Sequence, residues 1–106
     1  MQWELRGDRP IYQQLVEKLT EQIVSGQLSA GEKVPPVREL AAQAGVNPNT
    51  MQRALAELER TGLVYTQRTA GRFVTEDAAV VDSAKQELAH QQIGAFLHRM
   101  ERMGYD

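Results

Sequence analysis

The chain has no cysteine, which excludes disulfides, thiolate metal sites and cysteine nucleophiles together and agrees with a reducing compartment. No apolar run approaches the roughly 18 to 20 residues of a transmembrane helix. The opening Met1-Gln2-Trp3-Glu4 also lacks the basic and apolar regions of a signal peptide. A cytoplasmic location without a membrane partner is therefore expected. Catalytic patterns are missing as well: Ser25, Ser29 and Ser83 have no His and Asp at suggestive positions, and no glycine-rich phosphate loop occurs. His90 and His98 are two helical turns apart, not the single turn that lets a helix clamp a metal. With Glu87 and Glu101 nearby they make at best a weak carboxylate/histidine site, and solvated or interface histidines are the preferred reading. No enzymatic activity, metal or cofactor is expected.

What is present fits one folded domain with a short appendage. The length is 106 residues, and the 42% apolar and 25% charged fractions are near the globular average. The net charge of −2 conceals an uneven distribution. Residues 1–75 carry nine Lys/Arg against eight Asp/Glu, whereas residues 76–106 carry three against six. The acidity belongs to the tail, and the rest is neutral enough to present a positive face to phosphate without requiring it.

Trp3 and Leu5 alternate with polar neighbours, which predicts a short extended segment before a Gly7-Asp8 turn. From Pro10, whose fixed φ suits a first helical turn, Tyr12, Leu15, Val16, Leu19 and Ile23 recur at helical spacing to about Ser25, and Gly26 follows as a helix end. Gly31, Pro35 and Pro36 mark a loop. A second helix of about two turns carries Val37, Leu40, Ala41 and Ala44 on one face and stops at Gly45. Asn47-Pro48 then reads as the cap and first residue of a third helix, with Met51, Ala54, Leu55 and Leu58 inward and Gly62 after its last turn. Two helices so closely spaced form a helix-turn-helix pair. Leu63-Val64-Tyr65-Thr66 and Arg72-Phe73-Val74-Thr75 flank a turn from Gln67 to Gly71, which predicts a hairpin in the position of a wing. From Asp77 a helical pattern returns, with Val81, Ala84, Leu88, Ala89, Ile93, Phe96, Leu97 and Met100 on a drifting stripe, as one long helix or a broken pair.

Arg38 and Glu39 open the second helix, and Asn49, Gln52, Arg53, Ala56 and Glu57 lie on the outward face of the third. Amide side chains can pair bidentately with adenine and Arg with guanine, while Thr50 can touch a phosphate or a thymine methyl. An ordinary solvated helix face explains the same residues about equally well if they are taken alone; Asn49 and Gln52 at the helix N-terminus favour base reading. Arg68 and Arg72 flank the wing turn, within reach of a phosphate or minor groove, although charged hairpin tips are common on any surface. The tail stripe of Ile93, Phe96, Leu97, Met100 and Met103 is more often core than ligand pocket, but the tail has too little core of its own and must cover the winged helix or meet a second copy.

The run Pro10-Ile11-Tyr12-Gln13-Gln14, through Gly26-Gln27-Leu28-Ser29-Ala30-Gly31, to Val37-Arg38-Glu39-Leu40-Ala41 resembles the GntR family of bacterial transcription regulators. Gly45-Val46-Asn47-Pro48-Asn49-Thr50, then Ala54, Leu58, Gly62 and Gly71-Arg72-Phe73-Val74, extend the resemblance over about two thirds of the chain. Asn47-Pro48-Asn49-Thr50 and the tail Met100-Glu101-Arg102-Met103-Gly104-Tyr105 look like the YtrA branch. The resemblance implies a symmetric dimer on an inverted-repeat operator, usually repressing a nearby operon that often encodes a transporter. By motif match Arg38 contacts DNA from the second helix, Asn49, Thr50 and Gln52 from the third, and Arg68 with Gly71 from the wing. Where the family often has Ser before the second helix this chain has Pro36, so a capping box with Glu39 is missing. Where the wing turn often has Gly it has Thr69, which tolerates positive φ poorly. Sequences of this branch usually continue past the Gly104-Tyr105 position into another short helix, which leaves open whether the dimer element here is whole.

The expectation is thus a mainly α fold with a small β-hairpin: a winged helix-turn-helix over 1–75 and a C-terminal helical dimerisation element over 76–106. The expected DNA-contacting set is Arg38, Asn47, Asn49, Thr50, Gln52, Arg53, Arg68, Gly71 and Arg72; the expected dimerisation set is Leu88, Ile93, Phe96, Leu97 and Met100. Double-stranded DNA, a second copy and an unidentified small-molecule effector are the expected partners. A winged helix that holds a protein instead, and an effector-gated sensor with a pocket between tail and winged helix, are the alternatives.

Overall fold

Apolar spacing, capping and breaker residues divide the chain into α1 (Ile11–Val24), α2 (Val37–Ala44), α3 (Pro48–Arg60), β1 (Val64–Gln67), β2 (Gly71–Val74) and α4 (Ala78–Arg102). The computed structural model describes residues 3–105, so Met1, Gln2 and Asp106 of the expected spans lie outside it. Pro10 is the cap of α1 and not its first residue; its carbonyl accepts from the Gln14 amide. Gly45 ends α2 at φ 69, a left-handed geometry that costs a side-chain-bearing residue roughly 1–2 kcal/mol. Only Gly45-Val46-Asn47 separates α2 from α3, which holds the two helices in helix-turn-helix contact.

The core forms where three apolar stripes converge. Leu15, Leu19 and Ile23 of α1 meet Leu40 and Ala41 of α2 and the four inward residues of α3, Met51, Ala54, Leu55 and Leu58, all buried. Leu28, Val34, Leu63, Val64 and Val74 close the remaining side. A fully buried aliphatic side chain contributes roughly 1.5–3 kcal/mol, so these contacts dominate the stability. Among the described residues the segment before α1 forms no strand. It is held by the buried Gln14, whose Oε1 accepts from the Arg6 amide at 2.6 Å and whose Nε2 donates to the Arg6 carbonyl at 2.6 Å, while Trp3 and Leu5 pack on the core.

The hairpin is antiparallel with Val64 opposite Val74, Tyr65 opposite Phe73, Thr66 opposite Arg72 and Gln67 opposite Gly71. Alternation sends Val64, Thr66, Arg72 and Val74 to one face and Tyr65 and Phe73 to the other, where their rings stack at 5.8 Å. The loop between α1 and α2 adds a third edge: Lys33 bridges Phe73, the Val34 amide donates to the Arg72 carbonyl and the Val74 amide to the Glu32 carbonyl, both at 2.9 Å.

Asp77 caps α4, its Oδ1 accepting from the Ala79 amide at 3.0 Å. The helix is continuous, and its 25 residues span roughly 37 Å against a longest molecular extent of 53 Å. Val80, Val81 and Ala84 pack against the core from its first half. In the second half Ile93, Phe96 and Leu97 are at least half exposed, as is Met103 just past the helix end. The single stripe expected from the sequence is in fact two opposed faces. Ala84, Leu88, Gln91 and Ala95 line grooves against the chain's own body, and Ile93, Phe96, Leu97 and Met100 lie roughly 150° around the helix from them.

Candidate nucleic-acid interface

The N-terminal turn of α3 is built as its sequence requires. Asn47 Oδ1 accepts from the Asn49 amide at 2.7 Å, the Asn47 carbonyl accepts from the Thr50 and Met51 amides, and Pro48 occupies the position where no amide is needed. With Met51, Ala54, Leu55 and Leu58 buried, the helix leaves Asn49, Gln52, Arg53 and Ala56 exposed and Thr50 half-buried. Spacings of three and four place the exposed residues on one face. Arg53 does not extend freely: its guanidinium lies 3.6 Å from the centre of the Tyr12 ring of α1. That contact uses the charge of the guanidinium and none of its N–H donors, which make no hydrogen bond among the described residues.

Arg38 is exposed in the first turn of α2, whose cap, Pro36, offers no side-chain acceptor, in keeping with the missing capping box. In the wing turn the Ala70 amide donates to the Gln67 carbonyl at 3.0 Å. The positive φ falls on Gly71, at 108°, and among the described residues every non-glycine, Thr69 included, has negative φ. The Thr69 departure is absorbed because the strained position sits two residues later, where no side chain is present. Arg68 is exposed at the tip.

Arg72 has a different setting. Its Nε donates to Glu59 Oε1 of α3 at 2.5 Å, and Thr66 Oγ1 donates to the same oxygen at 2.7 Å. These two hydrogen bonds, Thr66 first, hold the Glu59 carboxyl below the usual carboxylate range. The arrangement is a strut between wing and α3. Glu57 is likewise held below its usual range by hydrogen bonds from Arg60, which reaches it at 2.5 Å one turn on, so the C-terminal end of α3 is neutralised internally.

Arg38, Arg53, Arg68 and Lys33 form no ion pair among the described residues. Sequence reasoning missed Lys33. Its side chain lies along the wing beside Gly71, where an added Cβ would approach Lys33 Cε to 3.0 Å. No local pattern announces it, because a single backbone bridge to Phe73 puts it there.

Of the expected dimerisation residues, Ile93, Phe96 and Leu97 share the uncovered face, with Met100 half-buried, whereas Leu88 lines a groove against α1 and α3 of its own chain. His90 and His98 are exposed, and among the described residues no group of three or more His, Asp or Glu is placed to hold a metal. Among them no helix is long and apolar enough to cross a membrane.

A capped helix with an uncovered amide-bearing face, packed on a second short helix across a three-residue turn and braced to a hairpin, defines a winged helix-turn-helix protein of the DNA-binding class. The sequence pattern of the bacterial regulatory proteins of the gntR family matches residues 11–74, and the chain belongs to that family as a YtrA-like, DNA-binding transcriptional regulator. The transcriptional repressor YtrA of Bacillus subtilis is 40% identical over 78 residues, which cover 74% of this chain and 60% of YtrA. A GntR-family regulator from Listeria monocytogenes superposes with a TM-score of 0.83 at 39% identity, covering 96% of this chain and 90% of that one. The DNA-binding domain of AraR, solved in complex with operator ORE1, superposes with a TM-score of 0.61 at 31% identity over 71% of this chain and 94% of that domain.

Proposed function

We propose that the chain is a cytoplasmic repressor that binds an inverted-repeat operator as a homodimer, α3 entering the major groove and the wing tip following the adjacent backbone. The observation that carries the reading is the uncovered N-terminal turn of α3, where the uncharged amides of Asn49 and Gln52 are exposed and unengaged by other side chains. Such amides discriminate adenine, while Arg38 and Arg68 neutralise phosphate. Thr50 and Arg53 take supporting contacts, Asn47 sets the helix start, Gly71 permits close approach at the wing, and Arg72 positions the wing through Glu59. Dimerisation is supported by the outer face of α4, since Ile93, Phe96 and Leu97 are each at least half exposed and adjacent to one another. Repression is supported by the name of the relative YtrA.

Footprinting on genomic fragments retained by the protein tests this reading. Two half-sites in inverted repeat, centred roughly 10 base pairs apart, are expected, with affinity falling linearly in log salt. A single non-palindromic footprint rejects the dimer, and DNA affinity absent at low salt leaves a protein-binding module instead. An effector-gated form is favoured by one further observation, a groove of about 560 Å³ between α1, the end of α3 and α4.

A further inference from the structure

The groove has an apolar floor of Val16, Leu58, Leu63, Val80, Ala84 and Leu88, and its volume of about 560 Å³ is in the range of small-molecule sites. Three carboxylates stand on its rim, Glu17, Glu57 and Glu87, against one guanidinium, Arg60. Two of the carboxylates are already answered. Glu57 accepts from Arg60, which commits that cation, and Glu17 is paired with Arg9. Glu87 forms no ion pair among the described residues and receives only Gln91 Nε2 at 3.4 Å. The hydroxyls of Thr20 and Thr61, also on the lining, are spent on their own helices, donating to the Val16 and Leu58 carbonyls at 2.7 and 3.1 Å.

An anionic ligand therefore meets three carboxylates and a committed arginine, with only the neutral Ser83 hydroxyl and Gln91 amide left to donate. A cation with an apolar body meets a matching floor and one unanswered carboxylate. A second copy is a poorer occupant, because the uncovered stripe of α4 that would bring it in faces the opposite side of the helix. From this geometry we infer that the groove between α1, α3 and α4 is a binding site for lipophilic organic cations, with Glu87 as the counter-charge. The inference rests on the effector-gated reading and supplies its ligand class.

Tetraphenylphosphonium and tetraphenylborate have nearly the same size and shape and opposite charge, so calorimetry of the full chain with each separates charge from apolar contact. The phosphonium is expected to bind about two- to fivefold tighter, the ratio appropriate to one charge pair at an exposed carboxylate. Glu87→Gln should bring the two ions close to parity, and Ser83→Phe, which fills the groove from an exposed lining position, should abolish both. Both variants should keep the native circular dichroism spectrum and DNA affinity. Equal binding of the two ions, a preference unchanged by Glu87→Gln, no saturable binding below millimolar concentration, or amide shifts confined to the outer face of α4 would each overturn the site. DNA retention without added cation is measured alongside. A chain that holds DNA but ignores the cation refutes this site alone, whereas one that holds neither refutes the regulatory reading.

Discussion

Arg38 and Gln52 differ in what their loss should do, because one supplies charge and the other supplies pattern. Arg38→Ala is expected to weaken binding to operator and unrelated DNA alike and to lower the salt slope by roughly one unit, since one fewer counterion is released. Gln52→Ala should leave the slope unchanged and cost roughly 1–3 kcal/mol on the operator only. A salt titration of both variants on two DNA sequences checks this, and identical losses would mean that α3 does not read bases. Asn47 acts through the fold instead. Its Oδ1 satisfies the Asn49 amide, so Asn47→Ala should cost roughly 1 kcal/mol, seen as a lowered thermal midpoint. An unchanged midpoint would show that the cap contributes nothing.

Among the elements, the wing is the one whose placement depends on a titratable group. Glu59 accepts from Thr66 and Arg72 in its ionised form, which depresses its pKa below the ordinary 4.5. A depressed carboxylate contributes stability that is fully present above the unfolded value and disappears as pH falls through the folded one. The bracing of the wing on α3 should therefore hold at neutral pH and fail progressively below about pH 4.5. Ring proton shifts of the stacked Tyr65 and Phe73, followed against pH, should move over that range in the native chain. Glu59→Gln, which cannot ionise, should abolish the transition, and its persistence in that variant would place the acid-sensitive group elsewhere.

At the scale of the whole molecule, the long α4 has two unlike faces. Its inner face docks on the chain's own winged helix, and its outer face, centred on Phe96 and Leu97, is uncovered, the surface that the proposed dimer would bury. Replacing Phe96 and Leu97 together with Glu should halve the mass measured by light scattering at micromolar concentration while preserving the helical spectrum. Binding to an isolated half-site should persist in that variant, and the gain from a second half-site should be lost. A native chain that is already monomeric under the same conditions would refute the dimer.

The sequence by itself determined α1, α2 and α3, their ends to within a residue, and the inward residues of α3, because periodicity, Asn-Pro capping and a left-handed glycine act within a few residues of one another; whether the tail was one helix or two it left open. It also determined the helix-turn-helix pair, since Gly45-Val46-Asn47 is too short a connection to separate α2 from α3. Of the candidate site, the exposure of Asn49, Gln52, Arg38 and Arg68 was legible, since it follows from which neighbours are buried. Only the tertiary structure decided that Arg72 braces the wing through Glu59 and does not extend from its tip, that Arg53 rests on Tyr12, and that Lys33 joins the wing. It likewise divided the tail's apolar residues between an inner and an outer face. These outcomes depend on pairings between residues far apart in the chain, where one backbone bridge or one carboxylate selects a partner that no local pattern specifies.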